Sequence, residues 1–137
     1  MVKLRRISKL ECLSGGENYI DVSRPNIFGN PYTHIKNKKT TALIAVANKD
    51  EAIRLYSKYF DAMLAGSTSD SKLFRGEWER IIGLCDKYDY LYFMCYCKPE
   101  EPCHADVIIE KLRRHITRKK IKEVYDRRKK QVNSHQP

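Results

Sequence analysis

The run Tyr90-Leu91-Tyr92-Phe93-Met94-Cys95-Tyr96-Cys97 is the most apolar stretch of the chain, and it constrains the fold more than any other feature. A continuous apolar run of this length, bounded by turn residues, suits a central strand buried on both faces. Lys98-Pro99-Glu100-Glu101 reads as the loop that follows, and Pro102 fits the first position of a new helix. Ala105, Ile108, Ile109, Leu112 and Ile116 recur at helical spacing and give that helix a buried face.

The rest of the chain supplies partners for this strand. Val2 to Ile7 alternates imperfectly and reads as an edge strand, and Tyr19 to Val22 reads as a short strand after the Ser14-Gly15-Gly16-Glu17-Asn18 turn. Ser23 to Tyr32 holds two prolines and Gly29-Asn30, a pair that tolerates left-handed dihedrals, so it is read as irregular. Lys36 to Lys39 is expected to be a loop tip, and Thr41 to Val46 another strand. Asn48 with Glu51 has the form of a capping box. The helix behind it turns Ala52, Ile53, Tyr56, Tyr59, Phe60 and Met63 to one side. After Gly66 to Ser69 a second helix stacks Phe74, Trp78, Ile81, Ile82 and Cys85.

This order predicts an α/β domain, a small three-layer or two-layer sandwich with a partly parallel, Rossmann-like sheet, plus a basic C-terminal helix. The expected boundaries are residues 1–112 for the domain, 113–130 for the basic helical extension and 131–137 for a disordered tail.

Charge is unevenly placed. Of 27 basic residues, 11 lie between Lys111 and Lys130 beside two acids, Glu123 and Asp126, so the tail carries about +9 of the formal +10. Arg113, Arg114, Arg118, Lys119, Lys120, Lys122, Arg127 and Arg128 are the candidate nucleic-acid contacts, and such binding weakens steeply with salt. A solvated helix that only aids solubility is the plainer reading, and docking of the Ile121, Val124, Tyr125 stripe on a protein partner is a third. No stretch approaches the ~20 apolar residues of a membrane span. Met1 to Arg6 is basic with no apolar segment behind it, so no secretory signal is expected and the location is read as cytoplasmic. Five cysteines without an export signal argue for reduced thiols rather than a disulfide framework.

Two places concentrate reactive side chains. Cys97 and Cys103-His104 flank the loop into the last helix, with Cys95 two residues upstream. In open α/β sheets, ligands bind beyond the carboxyl ends of strands, where helix N-termini favour anions. The same field is expected to lower the Cys103 pKa and to keep His104 neutral. If there is catalysis, Cys103 is the candidate nucleophile, His104 the base and Asp106 its orienter. No cofactor is expected; the alternative is zinc on Cys95, Cys97, Cys103 and His104, against which stands the awkwardness of two adjacent ligands. Buried thiols and a capping histidine are the plain structural reading. The second place is the Arg24-to-Tyr32 loop, whose Arg24, Asn26 and Asn30 are candidate donors to a phosphate or base edge, together with Cys97.

Asp21-Val22-Ser23-Arg24-Pro25, Phe28-Gly29-Asn30-Pro31-Tyr32 and Cys95-Tyr96-Cys97-Lys98-Pro99-Glu100-Glu101-Pro102-Cys103-His104-Ala105-Asp106-Val107 resemble family 4326 of the domains of unknown function, a family often met in bacteriophage genomes. Glu51-Ala52 and Tyr56 match its middle element, and the resemblance spans roughly residues 19 to 112. Ser23 and Ala105 each stand where the family pattern has glycine. The resemblance supplies no activity; it implies a phage-type protein whose two loops form one site. The expectation is therefore a nucleotide-derived or nucleic-acid ligand at a strand-to-helix junction. The alternatives are nucleic-acid binding through the basic helix, or a counter-defence or regulatory protein-binding role. If the source is viral, the compartment is the host cytoplasm.

Overall fold

A computed structural model describes residues 1–10, 15–33 and 44–134. The apolar run becomes β5 (Tyr90–Cys95), and it lies at the centre of a three-stranded sheet between β1 (Lys3–Ser8) and β2 (Tyr19–Asp21). Both neighbours run parallel to it, with Leu4 opposite Leu91 and Ile20 opposite Phe93. All three strands therefore end on the same edge.

The strand is not buried on both faces. Leu91, Phe93 and Cys95 point into the core, whereas Tyr90, Tyr92 and Met94 alternate toward a partly open face. On that face Tyr19 stacks on Tyr92 at 4.7 Å, and Tyr90 lies parallel to Tyr92 at 6.1 Å. The reason is that the helices contribute to one core on one side, so of the two sandwiches expected the molecule is the two-layer form. Tyrosine and methionine tolerate half-exposure, which is why composition alone did not reveal the alternation.

The helices are α1 (Lys49–Ala65), α2 (Ser69–Lys87) and α3 (His104–Ser134). Asn48 accepts a hydrogen bond from the Glu51 N–H at 2.8 Å, but the Glu51 carboxylate turns forward to Arg54, so only half of the capping box forms. Tyr56 and Phe60 of α1, Phe74, Trp78, Ile81 and Leu84 of α2, and Ile108 and Leu112 of α3 join Leu4, Leu91 and Phe93 in one core. Leu84 was not on the expected stripe; Ile82 and Cys85 sit at its margin. Strands β3 (Tyr32–Thr33) and β4 (Ile44–Ala45) form a separate parallel pair against α1. The expected loop tip at 36–39 and the first half of the 41–46 strand lie outside the described residues.

The basic helical extension expected over 113–130 continues the core helix without a break, and residues 131–134 of the expected tail belong to the same helix. From His104 to Ser134 the chain is one helix, about 46 Å long at 1.5 Å per residue. Neither glycine nor proline interrupts 105–134, so nothing in the sequence stops it. Residues 135–137 lie outside the described residues. No described helix is long and apolar enough to cross a membrane.

Candidate functional site

Because the strands are parallel, the C-terminal ends of β2 and β5 deliver their following residues to one edge of the sheet. After β2, Asp21 accepts hydrogen bonds from the Ser23 N–H at 3.0 Å and hydroxyl at 2.5 Å, and pairs with Lys9 at 2.7 Å. Burial acts against the Asp21 charge, but those partners outweigh it and hold its carboxyl below the usual range.

The chain then turns through a cis Arg24–Pro25 peptide. No described residue has positive φ, so Gly29 is not there for left-handed freedom. It is there for space: an added Cβ meets the Arg24 Cα at 2.9 Å and the Asn26 carbonyl at 3.0 Å. Arg24 donates to the carbonyls of Asn30 (3.1 Å) and Tyr32 (3.3 Å). Asn30 is buried, accepts from the Tyr32 N–H at 2.9 Å and donates to the Ala52 carbonyl at 3.4 Å. Asn26 is exposed and donates back to the Ser23 carbonyl at 3.0 Å. The three loop residues expected to hold a ligand thus hold the loop itself and fasten it to α1.

The second loop closes on the first. His104 Nε2 lies 2.6 Å from the Val22 carbonyl, and the His104 ring meets the buried Tyr56 ring edge-on at 5.0 Å. A carbonyl only accepts, so Nε2 carries the ring proton and Nδ1 is left bare, 3.6 Å from Cys103 Sγ. Burial lowers the His104 pKa, so the ring is neutral as expected, with desolvation rather than the helix field as the main cause. Asp106 is not its orienter; the Val22 carbonyl is. The Asp106 carboxylate instead accepts from the Cys103 N–H at 3.2 Å, capping α3, and from Arg6 at 2.8 Å. Arg6 also donates to the carbonyls of Lys98 (3.1 Å) and Pro99 (2.6 Å), clamping the loop to β1.

At the centre, the Sγ atoms of Cys95, Cys97 and Cys103 all lie within 4.8 Å of one another. Cys95 and Cys103 are buried and Cys97 is half-buried. Charge is not where the sequence placed it. Hydrogen bonds from Cys103 and Cys95, with the Lys49 ammonium 3.8 Å away, hold the Cys97 thiol far below its ordinary value. Hydrogen bonding to Cys95 and Cys97, reinforced by burial, pushes Cys103 up instead of down. For Cys95 the Cys103 bond pulls downward, but the bond to Cys97 and burial leave it raised. Of the three thiols, Cys97 is the one whose surroundings favour the thiolate.

Sequence reasoning missed Lys49, Arg6 and Tyr56 as parts of this place. Lys49 pairs with Glu101 at 2.7 Å; burial alone lowers its pKa, but Glu101 and Cys97 more than offset this and the net shift is upward. A signal for Lys49 existed: it opens α1 just after β4, a strand-to-helix junction of the same kind as the one before Cys103. Tyr56 donates to the Phe28 carbonyl at 2.7 Å, so the middle element of the family pattern bolts the first loop in place.

These contacts join, one to another, the segments that carry the resemblance. The model of the domain of unknown function family DUF4326 matches residues 5–114. The chain belongs to this family. The match reaches from β1, with its Arg6 clamp, to the last core turn of α3, and the DUF4326 core stops where the basic half of that helix begins. No curated protein and no solved structure matches the chain.

The basic residues expected to touch nucleic acid lie on α3 past the core. Arg113, Arg114, Arg118, Lys119, Lys120, Lys122, Arg127 and Arg128 are exposed. Arg114 pairs with Glu110 at 3.1 Å and Lys119 with Asp86 at 3.6 Å.

Proposed function

We propose that this DUF4326 protein binds a nucleotide-derived ligand, phosphate first, at the sheet edge beyond the C-terminal ends of β2 and β5. The observation that carries the reading is the Lys49–Glu101 pair at the mouth of the thiol cluster. Lys49 opens α1, where unpaired N–H groups favour an anion, and its ammonium is already matched to a carboxylate. Glu101 rides on the loop between Cys97 and Cys103, and a phosphate stands in for its carboxylate when the Glu101 side chain swings aside. Arg24 and Asn30 hold the neighbouring loop in place, and the phosphate falls to Lys49.

Calorimetric titration with a nucleoside monophosphate, a nucleoside diphosphate and inorganic phosphate tests this. Lys49→Gln is expected to weaken nucleotide binding at least tenfold, while Arg54→Gln, on the exposed side of the same helix, leaves it unchanged. Equal affinity in wild type and Lys49→Gln, or no binding by either, refutes the reading.

The outer face of the molecule favours a second reading, nucleic-acid binding. The distal half of α3 is exposed and cationic, and the open sheet face sets the stacked Tyr19, Tyr92 and Tyr90 beside Lys3 and Arg5 of β1. Aromatic platforms flanked by cations suit single strands. Replacing Arg127, Arg128, Lys129 and Lys130 with glutamine is then expected to flatten the salt dependence of RNA or DNA binding by up to about 3 in log–log slope. An unchanged slope removes the helix from the interface.

A further inference from the structure

We propose that Cys95, Cys97 and Cys103 bind a zinc ion, with His104 Nδ1 as the fourth ligand. The inference is independent of the nucleotide reading and rests on the disposition of the donors. A tetrahedral zinc with Zn–S about 2.3 Å and Zn–N about 2.0–2.1 Å has S···S edges of about 3.8 Å and S···N edges of about 3.6 Å. The three sulfurs already lie within 4.8 Å of one another, so closing on a metal takes rotamer adjustments rather than chain movement. The Cys103 Sγ to His104 Nδ1 separation is 3.6 Å, the length of such an edge. Adjacency of these two ligands, the objection raised by sequence, is thereby met for this pair; the three sulfurs form the compact group, and His104 reaches the fourth corner by adjusting its ring toward them.

The surroundings fit a metal as well. A ligating imidazole commonly donates its other N–H to a carbonyl, which fixes the tautomer, and His104 does this to the Val22 carbonyl at 2.6 Å. Cys95 ends a central strand, Cys103 caps a helix, and the loop between Cys97 and Cys103 is clamped by Arg6, so the donors stand on rigid elements. Three thiolates and an imidazole on a divalent ion carry a net charge of −1, and the Lys49 ammonium 3.8 Å from Cys97 Sγ faces that charge. Soft sulfur donors select zinc over magnesium or calcium.

Metal analysis of the full chain purified without chelator tests the assignment, beside cobalt(II) titration of the metal-stripped protein. About one zinc per chain is expected, and cobalt is expected to give the intense visible bands of a tetrahedral thiolate site. Cys97→Ser should weaken cobalt binding at least ~100-fold, since even outer-shell changes cost 10–100-fold. Cys85→Ser, a half-buried thiol outside the cluster, should not. His104→Gln should keep cobalt four-coordinate with shifted bands, as water or the amide replaces nitrogen. Substoichiometric zinc with only the pale spectrum of hydrated cobalt overturns the proposal. So does an intact mass of the metal-free, denatured chain two hydrogen atoms light, which would mean the cluster closes as a disulfide. Lys49→Gln separates the two readings: it should lose nucleotide affinity and keep the metal.

Discussion

Replacing Tyr56 with phenylalanine removes one atom from the place where α1, the first loop and His104 meet. The Tyr56 side chain is fully buried, and its hydroxyl donates to the Phe28 carbonyl at 2.7 Å. Phenylalanine keeps the ring, its contact with the His104 ring at 5.0 Å and almost all the apolar area, so the cavity contribution is small. What is lost is the donor. The Phe28 carbonyl stays behind in a core where Phe28 is 2% exposed, and an orphaned buried acceptor costs about 1–3 kcal/mol. Taking about 2 kcal/mol, and roughly 4 °C per kcal/mol for a chain of this size, Tm should fall by about 8 °C. Urea unfolding followed by tryptophan fluorescence is the assay, with m unchanged, because the unfolded surface is the same. Tyr90→Phe, on the open sheet face, is the control and should stay within about 0.5 kcal/mol of wild type. A Tyr56→Phe loss below about 0.5 kcal/mol at constant m refutes the view that this bond fastens the loop.

Two glycines should respond in opposite directions to alanine. Gly29→Ala drives a methyl into the Arg24 backbone at 2.9 Å and should cost about 1–3 kcal/mol, whereas Gly76→Ala, with nothing within 4 Å on α2, should stabilise by up to about 1 kcal/mol; urea unfolding of both reads the sign. The carboxyl of Asp21 has a depressed pKa in the folded state, so its contribution is complete above its unfolded value of about 3.9 and fades as pH falls through the folded one. Asp21→Asn should therefore be less stable than wild type at neutral pH and lose less on acidification, and parallel slopes below pH 4 would remove Asp21 as the source. In metal-stripped protein at pH 6, iodoacetamide should label Cys97 first. Cys85, pushed up to about 11 by burial, should lag behind it, and peptide mass mapping that finds Cys103 labelled ahead of Cys97 reverses the assignment of the thiolate.

The central strand and the three helices were legible because each rests on a local signal: an apolar run, a 3.6-residue stripe, a proline at a helix start; the proximity of the two loops came from the family resemblance alone. The open face of β5 was not, since Tyr92 and Met94 count as apolar whether covered or half exposed, and only the layer count decides. Charge marks where the domain gives way to the basic extension near residue 113, but charge changes the solvent a helix faces and not its hydrogen bonds; without glycine or proline α3 runs on through both. The pKa order of the thiols was hidden for another reason. The helix field acts on Cys103 alone, whereas the neighbours that decide the order, Cys95 and Lys49, are placed by β5 and α1 and meet only in three dimensions.

Subtracting satisfied groups from the family motifs shows which residues are left for chemistry. Arg24 spends hydrogen bonds on two carbonyls of its own loop, Asn30 on Tyr32 and Ala52, Asp106 on Arg6 and the start of α3, and His104 Nε2 on Val22. A ligand seeking those donors must first undo the loop, and a buried acceptor left behind would cost about as much as the new bond returns. These residues are therefore the frame, and a change at any of them should appear first as lost stability. Three sulfurs, the bare Nδ1 of His104 and the ammonium of Lys49 stand apart from this set. Their pairings among themselves and with Glu101 are with groups that a metal or an anion replaces without breaking the backbone. On this division, Lys49→Gln and Cys97→Ser should change binding while leaving the unfolding midpoint of the metal-free protein nearly unchanged. Arg24→Ala should lower that midpoint before any ligand is added. If instead Arg24→Ala folds as stably as wild type and fails only in binding, the frame and the site have been assigned the wrong way round.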